Sequence, residues 1–362
     1  KPMPFAVIAP DQESLPGKNW TTVVARTSKS PWLHNGYCEP GGFMPYKKAV
    51  CDYLRQYRGL RCEPEQVITT DGTQQALDLC ASVLFEKGDK VAVEDPYFQT
   101  HINLMEFRGL KPIPIPVTQN GIDIEKLKKQ KKIKGVLVTP CHQYPLGYVS
   151  SAENNEKLLA WAKTEGAWII EDDYDSEFRF SGKPIPPIAG MEGKRVIYMN
   201  TFSKTLAPSI RIAYMVLPDE LMDKFNTKLG FYSNTVSGFE QYTLANFISK
   251  GYYERHINRM RNYYRDYRNK IIRTIQNHPI YSKVSIEEEN SGLHFILNIN
   301  KKIDDEQFKK ELQQNNINIS GVSDYCYNNL DEFKHKFIIN YSAVSEENLK
   351  KALDVMNEAL SE

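Results

Sequence analysis

The stretch Val196-Ile197-Tyr198-Met199-Asn200-Thr201-Phe202-Ser203-Lys204-Thr205-Leu206-Ala207-Pro208 decides how this chain is read. Its β-branched start reads as a buried strand. A lysine leaves that strand among hydroxyl residues, and Arg211 follows seven residues later. Most lysine amines sit solvated at a surface. In this setting the amine can instead carry a Schiff base: it attacks an aldehyde while hydroxyls and a guanidinium hold a phosphate on the same small molecule.

Working outward, similar short β-rich runs alternate with helical stretches. The runs are Val67-Ile68-Thr69-Thr70, Val91-Ala92-Val93, Val136-Leu137-Val138, Trp168-Ile169-Ile170 and Ile212-Ala213-Tyr214-Met215-Val216. Such alternation predicts an α/β fold, a large mainly parallel sheet with helices on both faces. Ligands of such sheets bind beyond the carboxyl ends of the strands. The first 45 or so residues read as irregular, rich in proline and glycine, and Tyr46 to Tyr57 reads as an amphipathic helix with Val50, Tyr53 and Leu54 on one face. From Ser237 to Gln276 the pattern is one long helical stretch, with Gly251 as its one candidate break. New strands at Leu293–Leu297 and Phe337–Ile339, with helices at Asp304–Gln314 and Ser345–Leu360, predict a smaller α+β domain. The expected division is therefore an arm over 1–45, a large domain over 46–236, a connecting helical stretch over 237–276 and a small domain over 277–362.

Of 362 residues, 41% are hydrophobic and 25% charged, with a formal net charge of +1. These are globular values, and near-neutrality argues against an electrostatic nucleic-acid binder in this portion. Six scattered cysteines without a C-x-x-C spacing read as reduced thiols of a cytoplasmic protein, not as a disulfide framework or zinc site. No apolar run approaches the roughly 20 residues that span a bilayer, and no signal-peptide pattern opens the chain. Beginning at Lys1 without methionine is what a portion of a longer protein would show.

Three further segments sit at predicted strand ends. Asp71-Gly72-Thr73-Gln74-Gln75 opens a helix whose apolar face is Leu77, Cys80, Ala81 and Leu84. Its free backbone N–H groups and the Thr73 hydroxyl make either an anion site or an ordinary helix cap. Glu171-Asp172-Asp173-Tyr174-Asp175 concentrates acids that need a cationic partner. A protonated pyridine nitrogen is one such partner, with Tyr174 bonding the ring's phenolic oxygen; a solvated turn or an oxygen-ligated Mg²⁺ or Ca²⁺ site are the alternatives. Phe98, after Asp95-Pro96-Tyr97, offers an aromatic face for a ring or simply for the core. Cradle, stacker, carboxylate, phenol, lysine and arginine together describe a pocket for pyridoxal 5′-phosphate better than any one does alone.

At this point the chain resembles the fold-type I pyridoxal-phosphate proteins, the aspartate aminotransferase-like group. More closely, it is similar to the aminotransferase-like, effector-binding domain of the MocR-type bacterial transcription regulators. The resemblance runs through Pro10-Asp11, Pro16 and Trp20, Tyr37 to Gly42, Gly72-Thr73-Gln74-Gln75-Ala76-Leu77 and Asp95-Pro96-Tyr97-Phe98. It continues through Thr139-Pro140-Cys141-His142-Gln143-Tyr144-Pro145-Leu146-Gly147, Glu171 to Arg179, the Lys204 segment and Tyr252 to Arg261. It implies a Schiff base on Lys204, Asp172 against the ring nitrogen, Tyr174 on the phenolic oxygen and Phe98 stacked on the ring. Gly72, Thr73, Gln74, Thr201 and Arg211 would bind the phosphate, and His142 and Gln143 would lie near the ring oxygen. Tyr37 would reach the phosphate of a neighbouring subunit, which implies a homodimer with shared sites.

The departures bear on function. Transaminases of this fold usually grip the substrate carboxylate with an arginine near the last strand, where this chain reads Lys334-His335-Lys336-Phe337-Ile338-Ile339-Asn340-Tyr341. A lysine there is only a point charge. Tyr144 replaces the asparagine of the usual Asn-Pro-Thr-Gly turn, and Thr100 stands where some regulators place a ligand-binding arginine. The expectation is a sensor of an amine, an amino acid or a short peptide that controls an N-terminal winged-helix DNA-binding domain outside this chain. A working aminotransferase is the alternative.

Overall fold

The computed structural model describes residues 3–5, 16–30, 36–180, 185–287, 290, 292–328, 330–342 and 344–361; the Pro10-Asp11 pair of the resemblance lies outside them. In chain order the strands are β1 (Met3–Pro4), β2 (Val67–Thr70), β3 (Lys90–Asp95), β4 (Lys111–Thr118), β5 (Gly121–Ile122), β6 (Ile133–Val138) and β7 (Trp168–Asp172). They continue as β8 (Val196–Thr201), β9 (Ala213–Val216), β10 (Val284–Glu287), β11 (His294–Ile299), β12 (Ile317–Asn318), β13 (Ser320–Gly321) and β14 (Lys336–Asn340).

Eight strands form one sheet in the order β2-β9-β8-β7-β6-β3-β4-β5. The pairs β8–β7, β7–β6, β6–β3 and β3–β4 are parallel, whereas β9 runs antiparallel to both β2 and β8. The central strands are buried almost throughout, as parallel strands covered on two faces must be. This topology gathers the chemistry. The carboxyl ends of β2, β3, β6, β7 and β8 all open on one edge of the sheet, and the turn before β9, which carries Arg211, lies on that same edge.

A second sheet, β10-β11-β14-β13, is antiparallel throughout. Its core takes in the helices Asp305–Gln314 and Glu346–Ala359. The helix Tyr252–Gln276 ties the two bodies together: Tyr253 and Ile257 pack with Tyr53, Tyr198 and Phe202, while Met260, Tyr264, Ile271 and Ile275 belong to the core of the smaller sheet. At a rise of about 1.5 Å per residue it is long enough to serve both.

The structure sharpens the local readings at three places. The first 45 residues are not wholly irregular, because Gly17–Thr27 is a helix held to Gly238–Ser249 by an edge-on contact of Trp20 with Phe247 at 5.4 Å. The stretch 237–276 divides into two helices at Gly251, the break that the sequence offered; at φ 70° it adopts the left-handed conformation that glycine takes without steric cost and so redirects the chain. The strand β4, Lys-Pro-Ile-Pro-Ile-Pro-Val-Thr, was hidden by its prolines. Pro112, Pro114 and Pro116 fall on alternate residues, so the isoleucines between them supply the donors toward β3. The missing N–H groups then fall on the side that only the two-residue β5 covers. Proline is tolerated at such a margin and protects it from further pairing.

Candidate functional site

A cavity of about 370 Å³ opens at the carboxyl edge of the large sheet. Its wall includes Thr73, Gln74, Phe98, Asp172, Tyr174, Thr201, Lys204 and Arg211, eight of the residues singled out from sequence. They come from five separate segments, and the topology of the large sheet brings them together.

The start of helix Gly72–Leu84 is built to leave donors free. Asp71, at the capping position, makes no side-chain bond to the helix; its own N–H is taken by Gln75 Oε1 at 2.6 Å. Gly72 has φ 77°, and a Cβ there would stand 2.2 Å from Arg211 Nη2. Only glycine lets that guanidinium lie over the helix start. Arg211 is itself at φ 51°, unusual for a residue with a side chain, and its Nε and Nη2 donate to Asp71 Oδ1 and the Asp71 carbonyl, each at 3.2 Å. Thr201 and Ser203 complete this wall, with their hydroxyl oxygens 3.0 Å apart. Uncapped N–H groups, a half-exposed guanidinium and two hydroxyls line this end with donors, a set that could hold an anion.

The acidic run at the end of β7 divides by role. Glu171 accepts the N–H groups of Ile188 and Ala189 at 2.8 and 2.9 Å and so caps a short helix. Asp173 is buried against Arg58 at 2.7 Å and also accepts from Ser176 and the Tyr198 hydroxyl. Asp175 accepts from His142 Nδ1 at 2.9 Å. Asp172, the member that lines the cavity, is different: Oδ1 is buried without a hydrogen-bond partner, and Oδ2 lies 4.0 Å from His101 Nδ1. Burial, then the fields of Asp173, Asp175 and Glu94, push its carboxyl up to about 7. Burial likewise lowers the Lys204 amine to about 8, against the opposing pull of Asp175 and Asp172. Burial also drives His101 down to about 4, so it faces Asp172 as a neutral ring. Among the described residues no cluster of three or more acids, histidines or cysteines could hold a metal ion.

Two sequence candidates stand behind the wall. His142 lies 3.2 Å from the Tyr174 hydroxyl through the same Nδ1 that serves Asp175. Gln143 ties down its own loop, donating to the carbonyls of Pro96 and Tyr144 at 2.7 Å each and accepting from Leu146 N–H. Tyr37 is 94% exposed and lines a separate surface cavity with Phe43, Ser237 and Tyr242. Sequence reasoning missed Tyr97, His101, Ser203 and Tyr325 as wall residues. His101 had a signal, since it follows Phe98 by three residues on the helix Gln99–Phe107 and so returns to the same face. Tyr325 had none: it arrives from the small sheet, on the turn Val322–Tyr325 after β13.

That turn is fastened to the large sheet. Asp95, at the end of β3, accepts the N–H groups of Tyr327 and Asn328 at 2.7 and 2.9 Å, and Tyr97 N–H donates to the Tyr325 carbonyl at 3.0 Å. Tyr144 then meets Tyr325 edge-on at 5.3 Å, their hydroxyls 3.2 Å apart.

The sequence of residues 14–356 matches the family described as aminotransferase class I and II. The chain is 32% identical over 354 residues to the "Probable rhizopine catabolism regulatory protein MocR" of Rhizobium meliloti, covering 97% of this chain and 71% of that one. It is 36% identical over 319 residues to the HTH-type transcriptional regulator YdeL of Bacillus subtilis (strain 168), covering 88% and 68%. In structure it is similar to an archaeal alanine:glyoxylate aminotransferase, with a TM-score of 0.89 at 22% identity over 100% of this chain and 91% of the other.

Proposed function

We propose, from the premise that the chain belongs to the class I and II aminotransferase family and within it to the MocR-type regulators, that it binds pyridoxal phosphate and senses a small primary amine. The observation that carries this reading is Asp172: a buried carboxylate oxygen without a partner, in a cavity that also holds Lys204 and a phosphate-shaped cradle. An uncompensated buried carboxylate is costly, and a protonated ring nitrogen would remove the cost.

When bound, the cofactor would supply an aldehyde that condenses with amines and a ring that withdraws electrons. Each residue has a share in this. Arg211, Thr201 and the N–H groups of Gly72, Thr73 and Gln74 would hold the phosphate, and Phe98 would cover the ring face. Because the Asp175 carboxylate can only accept, His142 Nδ1 carries the proton between them. The Tyr174 hydroxyl therefore keeps its own proton for another acceptor, the ring's phenolic oxygen. A Lys204 amine near pKa 8 is neutral often enough at physiological pH to act as nucleophile or proton carrier.

Signalling needs a state that the ligand favours over another. The small-sheet turn at Tyr325 touches the cavity and is held to the large sheet by a few hydrogen bonds at Asp95, so a ligand contacting Tyr325 would bias how the two bodies sit. In the full-length protein that bias would pass to a DNA-binding domain, as the names of the regulatory relatives suggest, and Tyr37 would complete the site of a second subunit.

Hydride reduction of the cofactor-treated protein followed by peptide mass mapping should place one adduct on Lys204. No adduct there, or one spread over surface lysines, would sink the reading. The intact set of Lys204, Asp172 and Tyr174 also supports transamination. Many turnovers of keto product with a keto-acid acceptor would put catalysis ahead of sensing.

A further inference from the structure

We infer that the ligand is a primary amine with an uncharged aromatic body and no carboxylate, read at its far end by the paired hydroxyls of Tyr144 and Tyr325. This deepens the proposed function and rests on it.

The argument begins with charge. Among the described residues, the cationic side chains on the cavity wall are Lys204 and Arg211. Arg211 is engaged over the helix start through Asp71. His101 is neutral there, because burial disfavours its charged form. The basic stretch that could have replaced the missing arginine is turned to other partners. Lys334 pairs with Asp331 at 2.5 Å, His335 with Asp305 at 2.8 Å and Lys336 with Glu287 at 2.7 Å. Behind it, Ile338 packs with Leu146, Ile296, Val322 and Phe333 in an apolar cluster against Tyr325. On the described wall of this chain a ligand carboxylate would meet no cation beyond Lys204 and Arg211, and burying it there without a further counter-charge is unfavourable.

The wall offers aromatic surface instead. Tyr144 is the hub, with ring centroids 6.0 Å from Phe98, 6.2 Å from Tyr174 and 5.3 Å from Tyr325, all near-perpendicular. Edge-on arrays of this kind accept another aromatic ring readily. The two hydroxyls, 3.2 Å apart, can donate to and accept from a neutral polar tip such as a phenol, and neither can neutralise an anion.

The test uses cofactor-loaded protein with four probes: 2-phenylethylamine, tyramine, L-phenylalanine and L-tyrosine. Calorimetric Kd and thermal shift should favour each amine over its amino acid by about 10-fold or more, with tyramine ahead of 2-phenylethylamine. The double variant Tyr144→Phe with Tyr325→Phe keeps both rings and should erase tyramine's lead, of order 10-fold for a lost hydrogen bond, while binding of 2-phenylethylamine stays within about twofold. Amino acids binding as tightly as the amines would overturn the inference while leaving the Lys204 reading intact. Absence of the reduced adduct on Lys204 in the same preparation would instead remove the reading beneath it.

Discussion

The wall of the cavity has two parts with opposite histories. One is built from strand ends of the large sheet: Gly72 to Gln74, Phe98, Asp172, Tyr174, Thr201, Lys204 and Arg211. Its uncompensated member is Asp172, whose buried Oδ1 has no hydrogen-bond partner, and the proposed occupant of the set is a phosphorylated pyridine. The other part, Tyr144 and Tyr325, is assembled across the two sheets and is comfortable without any ligand, its hydroxyls within reach of each other. The first part leaves a buried group unsatisfied; the second is satisfied within itself. On the proposed reading, a group left unsatisfied favours a retained ring, whereas a hydroxyl pair satisfied by itself can admit and release a ligand.

The comparison can be broken most directly at Lys204. Lys204→Ala should abolish the reduced adduct altogether, and in the native protein cofactor uptake should accelerate as pH rises through about 8, where the amine loses its proton. A flat pH profile would mean that this amine is not the nucleophile.

Next comes Asp172→Asn, which should pull two measurements apart. The folded carboxyl, at about 7, lies above its ordinary 3.8, so its favourable contribution to the cofactor-free fold is full below pH 4 and disappears as pH rises through about 7. Removing the charge should therefore stabilise the cofactor-free protein at pH 8, by roughly 1–3 kcal/mol in denaturant titration, yet weaken cofactor retention by about 10-fold or more. A variant that lost stability would show that Asp172 serves the fold and not a ligand.

Gly72→Ala should act more narrowly. The new methyl group displaces the Arg211 guanidinium, and the positive φ adds backbone strain of about 1 kcal/mol. Affinity for the cofactor should fall by roughly 10-fold in equilibrium dialysis with the overall fold retained; unchanged affinity would place the phosphate elsewhere. The smallest effect is expected at Asp95→Asn. An amide can accept from Tyr327 or Asn328 but not symmetrically from both, so the cost should be about 1 kcal/mol, confined to faster amide exchange over 322–328. Exchange that rises across both sheets would mean that Asp95 holds the core and not the turn.

How far the sequence could be read follows from these same residues. The strand runs at Val136, Trp168 and Val196 were legible because buried parallel strands must be continuously apolar. Lys204 and Asp172, which line the cavity, stood out because charged side chains at the strand ends break that rule. The proline-rich β4 escaped because it is a margin, where the donors that proline lacks are not needed. Glu171 and Asp173 could not be told from Asp172 by spacing; only their partners Ile188, Ala189, Arg58 and Tyr198 separate structural acids from the one facing the cavity.

By itself the sequence determined the alternation of strand and helix, the polar strand ends that line the cavity and the lysine among hydroxyls, because local patterning dictates which faces must be buried. Tertiary structure alone decided which acid is left unpartnered, why Gly72 must lack a side chain beneath Arg211 and that Tyr325 completes the wall from the other sheet. Those facts depend on contacts made outside any local pattern, 115 positions apart for Arg58 with Asp173 and 181 for Tyr144 with Tyr325, and no such pattern encodes where these partners will meet.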